Sequence, residues 1–256
     1  MNRIQKLFSS KSKKIIPFIT AGFPTKEATK NMVLAFEESG ASMIELGMPY
    51  SDPLADGLVI QKASDIALKN GVNLGWIIDT VREIRLESQI PIILMGYFNP
   101  ILSYGLERFI KDCSEAGVDG FILPDLPPEE ASEYVFLCEE YNLSSIFLVA
   151  PNTSNERIQK VSELAKDLIY CVSILGITGG SVSTEDNVES YLKRVKDNSS
   201  CSFVVGFGID CQEKVDWINQ HSDGAVIGSH FIKNLMDCET SFDCIRKTKE
   251  LMQNLV

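Results

Sequence analysis

The 256 residues carry a formal net charge of −11, with 45% hydrophobic and 23% charged residues. That length and apolar content suit one large α/β domain, and the negative balance argues against nucleic acid, whose phosphates require a basic face. No apolar run approaches the roughly 18 to 20 residues that cross a bilayer, and the opening MNRIQKLFSSKSKK lacks the apolar segment of a secretory signal, so a cytoplasmic protein is expected.

In chain order, KIIPFITAG (14–22) reads as strand one, and TKEATKNMVLAFEESG as a helix with Thr25 as N-cap and Gly40 at its close. ASMIELG (41–47) is strand two, followed by a long loop from 48 to about 60. The helical pattern DTVREIRLES leads to strand three, PIILMGY (91–97), and GLERFIKDCSEAG to strand four, GFILPD (120–125). PEEASEYVFLCEEYN precedes strand five, SSIFLVAP (144–151), and SNERIQKVSELAKD precedes strand six, DLIYCVSI (167–174). A second long loop runs to about 185 before NVESYLKRVKDN. Strands seven and eight are CSFVVGFG (201–208) and GAVIGS (224–229).

These runs are nearly continuously apolar, as strands covered on both faces are. Strand and helix alternate eight times, which favours a (β/α)8 barrel over an open doubly wound sheet. The G-x-G-x-x-G fingerprint of a dinucleotide fold is missing after strand one. The expected fold is a single (β/α)8 TIM barrel over residues 1–256, with an extra N-terminal helix and long loops after strands two and six.

In such a barrel the chemistry sits at the C-terminal ends of the strands. Glu45 lies close to that end of strand two, where apolar walls would disfavour its charged form and fit it for acid–base work. The competing reading is a strand-end glutamate that reaches solvent or a lysine. Asp56 follows eleven residues later within SDPLADG, so only folding of the loop can bring the two carboxyls to one ligand. Alone, that segment is turn chemistry. Strands seven and eight both end in small residues, and GITGG follows strand six. Glycines there let backbone N–H groups approach an anion, which suggests a phosphate cradle, with tight turns as the alternative. No strand interior holds a lysine for a Schiff base; Lys14 stands only at the start of strand one. Seven cysteines without a C-x-x-C pair, and only two histidines, argue against a metal site. Acid–base chemistry by carboxylates on a phosphorylated substrate remains.

The segments PFITAGFP, IELGMPYSDPLADG, PIILMGYFNPI, GFILPDLPPEE, GITGG, VGFGI and VIGS resemble the tryptophan synthase alpha chain family in order and spacing, over essentially the whole sequence. The resemblance implies a lyase that cleaves indole-3-glycerol phosphate to indole and glyceraldehyde 3-phosphate. It implies no cofactor in this chain and an alpha2beta2 heterotetramer with a beta subunit that carries pyridoxal phosphate and receives indole through a tunnel. By position, it makes Glu45 the general acid/base and Asp56 the acceptor of the indole N–H, with Tyr170 in the same pocket and Phe18 and Leu94 flanking the ring. Thr178 corresponds to the threonine that closes onto the aspartate. Gly179, Gly208, Gly228 and Ser229 correspond to the phosphate cradle, and Pro49, Asp52 and Asn99 fall in segments facing the beta subunit.

The sequence departs from the family pattern in three places. Leu58 stands where proline usually follows Asp56-Gly57, which frees φ and restores an N–H, so a less preorganised loop is expected. Ile174 and Leu175 replace a basic and a small polar residue, and His230 replaces a small residue beside the phosphate site, where an outward side chain is expected. These changes motivate a second hypothesis, an alpha-type subunit that turns over little substrate and mainly activates the beta subunit. A third, another phosphate-binding barrel such as a sugar-phosphate isomerase, does not account for the motif around Asp56.

Overall fold

In a computed structural model of the chain, which describes residues 1–172, 185–206 and 208–256, the eight apolar runs form eight parallel strands. They are β1 (Ile15–Thr20), β2 (Ile44–Gly47), β3 (Ile92–Met95), β4 (Gly120–Ile122), β5 (Ser144–Val149), β6 (Leu168–Val172), β7 (Ser202–Gly206) and β8 (Ala225–Ile227). They close into a barrel in sequence order, and β8 returns to β1 through the pairs Ile15–Ala225, Ile16–Val226 and Pro17–Ile227. The expected TIM barrel is the fold observed.

The helices are α1 (Arg3–Phe8), α2 (Lys26–Glu38), α3 (Leu58–Lys69), α4 (Leu74–Arg85), α5 (Phe98–Tyr104) and α6 (Leu106–Ala116). After a 3-10 turn at Pro128–Glu130 come α7 (Ser132–Glu140), α8 (Asn155–Ala165), α9 (Glu185–Asn198), α10 (Gln212–His221), α11 (Ser229–Leu235) and α12 (Ser241–Gln253). Thr25 does occupy the N-cap of α2, yet its side chain makes no capping hydrogen bond. The stretch expected as one helix from 128 divides, because two prolines stand at 127 and 128 and the α-helix starts only at Ser132. The loop after β2 ends sooner than expected: α3 begins at Leu58, with Gly57 extended at its N-cap. Its buried residues Ala63, Ser64 and Ala67 recur at helical spacing.

Two apolar layers result. One lies between barrel and helices; the other fills the barrel interior with Ile16, Met43, Ile93, Ile122, Ile146, Leu168, Val204 and Val226. The bottom of the interior is plugged by α1, whose Ile4 is fully buried in that inner layer. The helix has an Asn2–Gln5 capping box, and both side chains also reach Asp167.

A charged clamp holds the same end. Asp119, 4% exposed, accepts hydrogen bonds from Arg3 (3.0 Å), Arg85 (2.8 Å) and the Ile92 amide (2.8 Å). Arg85 also donates to the carbonyls of Gly117 (2.8 Å) and Ile90 (2.6 Å), tying the starts of β3 and β4 together. Lys14 is buried here too, with Nζ on the Ser10 and Ser12 carbonyls. The end opposite the expected chemistry is thus fully partnered. Asp119→Ala would leave the Arg85 guanidinium uncompensated and is expected to lower unfolding free energy by about 3–5 kcal/mol, measured as a shift of the urea midpoint.

Candidate active site

Side chains alternate between barrel interior and helix layer along each strand. Ile16, Phe18 and Thr20 share one face of β1, and Met43 and Glu45 share the inner face at β2. In the ladders Glu45 lies opposite Phe18 on one side and Ile93 on the other. It is 0% exposed, and neither carboxylate oxygen has a hydrogen-bond partner among the described residues. Burial among apolar side chains pushes its pKa from 4.5 up to about 8. Glu45 therefore holds its proton at neutral pH.

Tyr170, on β6, is buried in the same interior, and burial followed by the neighbouring Glu45 charge raises its phenol well above the ordinary range. Its hydroxyl reaches across to β7, where a Cβ at Gly206 would come within 1.9 Å of it. Only glycine permits that approach. Phe18 has a similar need: a Cβ at Gly47 would meet its ring at 2.6 Å, and one at Gly228 at 3.3 Å. The ring therefore sits between the ends of β2 and β8. Leu94 does not flank this space. It packs in the layer between barrel and helices, because the pleat turns Ile93 inward and Leu94 outward; Met95 faces the cleft instead.

That cleft brings Asp56 to the barrel mouth, lined with Phe18, Thr20, Met48, Ile60, Met95 and Tyr97. Asp56 is held from β3's end. The Tyr97 hydroxyl donates to Asp56 Oδ2 (3.2 Å) and accepts from the Ala55 amide (2.9 Å), so one side chain fixes both carboxyl and loop. Gln61 donates to the Asp56 carbonyl (2.8 Å). Burial raises the Asp56 pKa, and the Tyr97 hydrogen bond opposes that rise. Leu58 occupies the first position of α3, 82% exposed. A free N–H there costs nothing, since helix N-termini leave such groups unpaired. Tyr97 and Gly206 escape sequence reading; the only signal for either is its place at a strand end.

Pro49 is half-buried and Asp52 and Asn99 are exposed at this same end. Tyr50 packs on Tyr97, ring centroids 5.1 Å apart, and Asn99 Nδ2 lies 3.5 Å from the Tyr50 hydroxyl. Gly208 has φ +75°, which favours glycine, and Lys214 Nζ donates to its carbonyl (3.0 Å) and to Asp210 (2.7 Å). Gly228 caps α11, and Ser229 is its exposed first residue. His230 does not point outward as expected. Its ring is half-buried, edge-on to Phe231 at 5.8 Å, and burial lowers its pKa against the raising effect of Asp210. Thr178, Gly179, Ile174 and Leu175 lie outside the described residues.

Among the described residues no group of three His, Cys, Asp or Glu could hold a metal ion, and no helix is long and apolar enough to cross a membrane. Another hollow, lined by Lys196, Ser199, Ser200, Gln220, His221 and Asp223, borders the N-terminal start of β7 and contains none of the groups above.

Two outcomes follow from this geometry. With a folded-state pKa near 8 against the ordinary 4.5, the folded chain binds an extra proton between those values. The stabilisation is complete below 4.5 and is lost as pH rises through 8. Glu45→Gln is expected to remove that decline, up to about 1.4 kcal/mol per pH unit, in urea unfolding followed across the window. Tyr97→Phe removes a hydrogen bond that favours charged Asp56. The acid limb of the activity–pH profile is expected to move to higher pH, with kcat/KM down about tenfold and little change in Tm.

The family model described as the tryptophan synthase alpha chain matches residues 4–256. The tryptophan synthase alpha chain of Petrotoga mobilis is 43% identical over 251 residues, covering 98% of this chain and 96% of that protein. That of Shouchella clausii is 45% identical over 241 residues, covering 93% and 89%. A chain from the tryptophan synthase alpha2beta2 complex of Pyrococcus furiosus superimposes with a TM-score of 0.88 at 35% identity, covering 95% of this chain and 97% of that one. A structure from Aquifex aeolicus gives 0.88 at 34% identity, covering 100% and 99%.

Proposed function

Because the chain belongs to the tryptophan synthase alpha chain family, we propose that Glu45 and Asp56 carry its reaction, the cleavage of indole-3-glycerol phosphate to indole and glyceraldehyde 3-phosphate. The observation that carries this assignment is a fully buried carboxyl with no hydrogen-bond partner among the described residues and a pKa near 8.

The protonated Glu45 delivers its proton to indole C3, converting the ring to a cation. The resulting carboxylate takes the proton from the hydroxyl on the carbon attached to the ring. The C–C bond breaks, its electron pair neutralises the ring, and the aldehyde forms. Glu45 ends protonated, as it began, so a single carboxyl serves as acid and then as base. Asp56 accepts the ring N–H and stabilises the transient positive charge, a role that needs its ionised form. The two carboxyls stand in different environments, Glu45 among apolar side chains and Asp56 beside a Tyr97 hydroxyl that favours its charged form. Phe18 and Tyr170 bound the ring, with Met95 rather than Leu94 on its third side. The phosphate lies at Gly208, Gly228 and Ser229; by correspondence with the family, Gly179 joins that cradle and Thr178 is the threonine that closes onto Asp56.

The partner is the beta subunit in an alpha2beta2 heterotetramer, and pyridoxal phosphate belongs to that subunit. Pro49, Asp52 and Asn99, grouped at the mouth, form part of the surface it covers, and indole passes to it for tryptophan synthesis. The site of this work is the cytoplasm. An intact carboxyl pair gives no support to a chain that serves only as an activator.

Release of indole from indole-3-glycerol phosphate, with and without the beta subunit, tests the reading; no indole under either condition would sink it. Glu45→Gln keeps shape and ligand binding but lacks the transferable proton, and kcat is expected to fall about 100-fold or more. In the wild type, kcat/KM is expected to decline as pH rises through about 8, where Glu45 loses its proton.

A further inference from the structure

Buried polar atoms without partners are few in folded proteins, and each calls for a reason. Among the described residues the buried side-chain atoms of this kind belong to Glu45, Thr20 and Thr248. Thr248 lies on α12 in the outer layer, whereas Glu45 and Thr20 both stand at the barrel mouth. Thr20 is the last residue of β1, 1% exposed, two positions beyond Phe18 and therefore on the same face. It lines the cleft that contains Asp56, Ile60 and Tyr97.

Deeper in the strands the interior is hydrocarbon, and valine would fill the Thr20 position with the same shape. A buried hydroxyl without a partner among the described residues weighs on stability unless something else bonds it. The residue stands in the wall of the cleft, where an entering ligand can supply the partner.

We propose that Thr20 is a specificity-determining residue of the lyase site, its hydroxyl completing with the Asp56 carboxylate the polar wall that meets the N–H edge of the indole ring. Phe18, Met48, Ile60 and Met95 offer the ring only apolar contact, Ser64 and Tyr97 also line the cleft, and the Tyr97 hydroxyl is already engaged with Asp56 and the Ala55 amide. The apolar part of the lining cannot tell a flat bicycle with an N–H from one without. The inference rests on the lyase reading above and extends it from catalysis to the choice of substrate.

The test compares binding of indole and of indene, its carbocyclic isostere without the N–H, to the full-length wild type, Thr20→Val and Thr20→Ser by calorimetry, alongside thermal unfolding. Thr20→Val is expected to keep or raise Tm while its preference for indole over indene falls about tenfold, the worth of one net hydrogen bond. Thr20→Ser retains the hydroxyl and is expected to retain the preference. An unchanged preference in Thr20→Val, or an equal loss in Thr20→Ser, overturns the proposal. Should Thr20→Val fail to fold, Thr20→Ala carries the same comparison. Wild-type cleavage of indole-3-glycerol phosphate, assayed in parallel with the beta subunit, separates the two claims. Turnover with an unchanged Thr20→Val preference removes only the role of Thr20, and no wild-type turnover removes the lyase reading itself.

Discussion

A carboxyl group enclosed by hydrocarbon, with no donor to stabilise its anion, holds on to a proton that water would remove. Glu45 is in that position because β2 is hydrogen-bonded on both sides, to β1 through Phe18 and to β3 through Ile93. A slip of one residue would turn Ile44 and Leu46 inward and expel the carboxyl to the helix layer. In a closed barrel there is no free edge along which such a slip could occur. Register, burial and protonation are therefore one constraint, and the surrounding groups answer to it: Tyr170 lies over neighbouring β7 only because Gly206 lacks a side chain, and the Phe18 ring lies over the end of β2 only because Gly47 lacks one.

The two ends of the barrel use polar groups in opposite ways. At the bottom, Asp119 joins Arg85, Arg3 and the Ile92 amide while Asp167 accepts from Asn2 and Gln5 of the α1 capping box, which makes that end a clamp. At the mouth, Glu45 and Thr20 are buried without hydrogen bonds among the described residues, which is costly and leaves them ready for a ligand. Local disagreement between burial and bonding is expected where a protein works and not where it is merely held together.

The departures from the family pattern gain meaning from their surroundings. Leu58 falls on the first helical position, where the N–H has no intrahelical partner and proline's lack of one makes no difference, and the Asp56 loop is held from elsewhere, by Tyr97. The restored N–H therefore costs the loop no hydrogen bond. His230 packs against Phe231 near Asp210, and burial favours its neutral form, so it brings no full positive charge to the neighbouring Ser229.

Strand positions were legible in the sequence because strands covered on both faces are continuous apolar runs, and eight of these alternating with helical patterns leave few architectures. The carboxyls at 45 and 56 stood out by type and place, and the resemblance to the family supplied their roles. What a continuous run conceals is which residue faces inward, since apolar side chains occupy both faces; Leu94 was misread for that reason, and Met95 takes its place. The division of the helix at Ser132 differs from the expected single helix because Pro127 and Pro128 hold the chain out of the α-helix until that point. The hold of Tyr97 on Asp56, separated by 41 residues, the approach of Tyr170 to Gly206 and the bare hydroxyl of Thr20 were decided only by the closed barrel. Sequence determines which groups the chain possesses, and the contacts that give them a pKa, an orientation or an empty valence arise when distant strands meet.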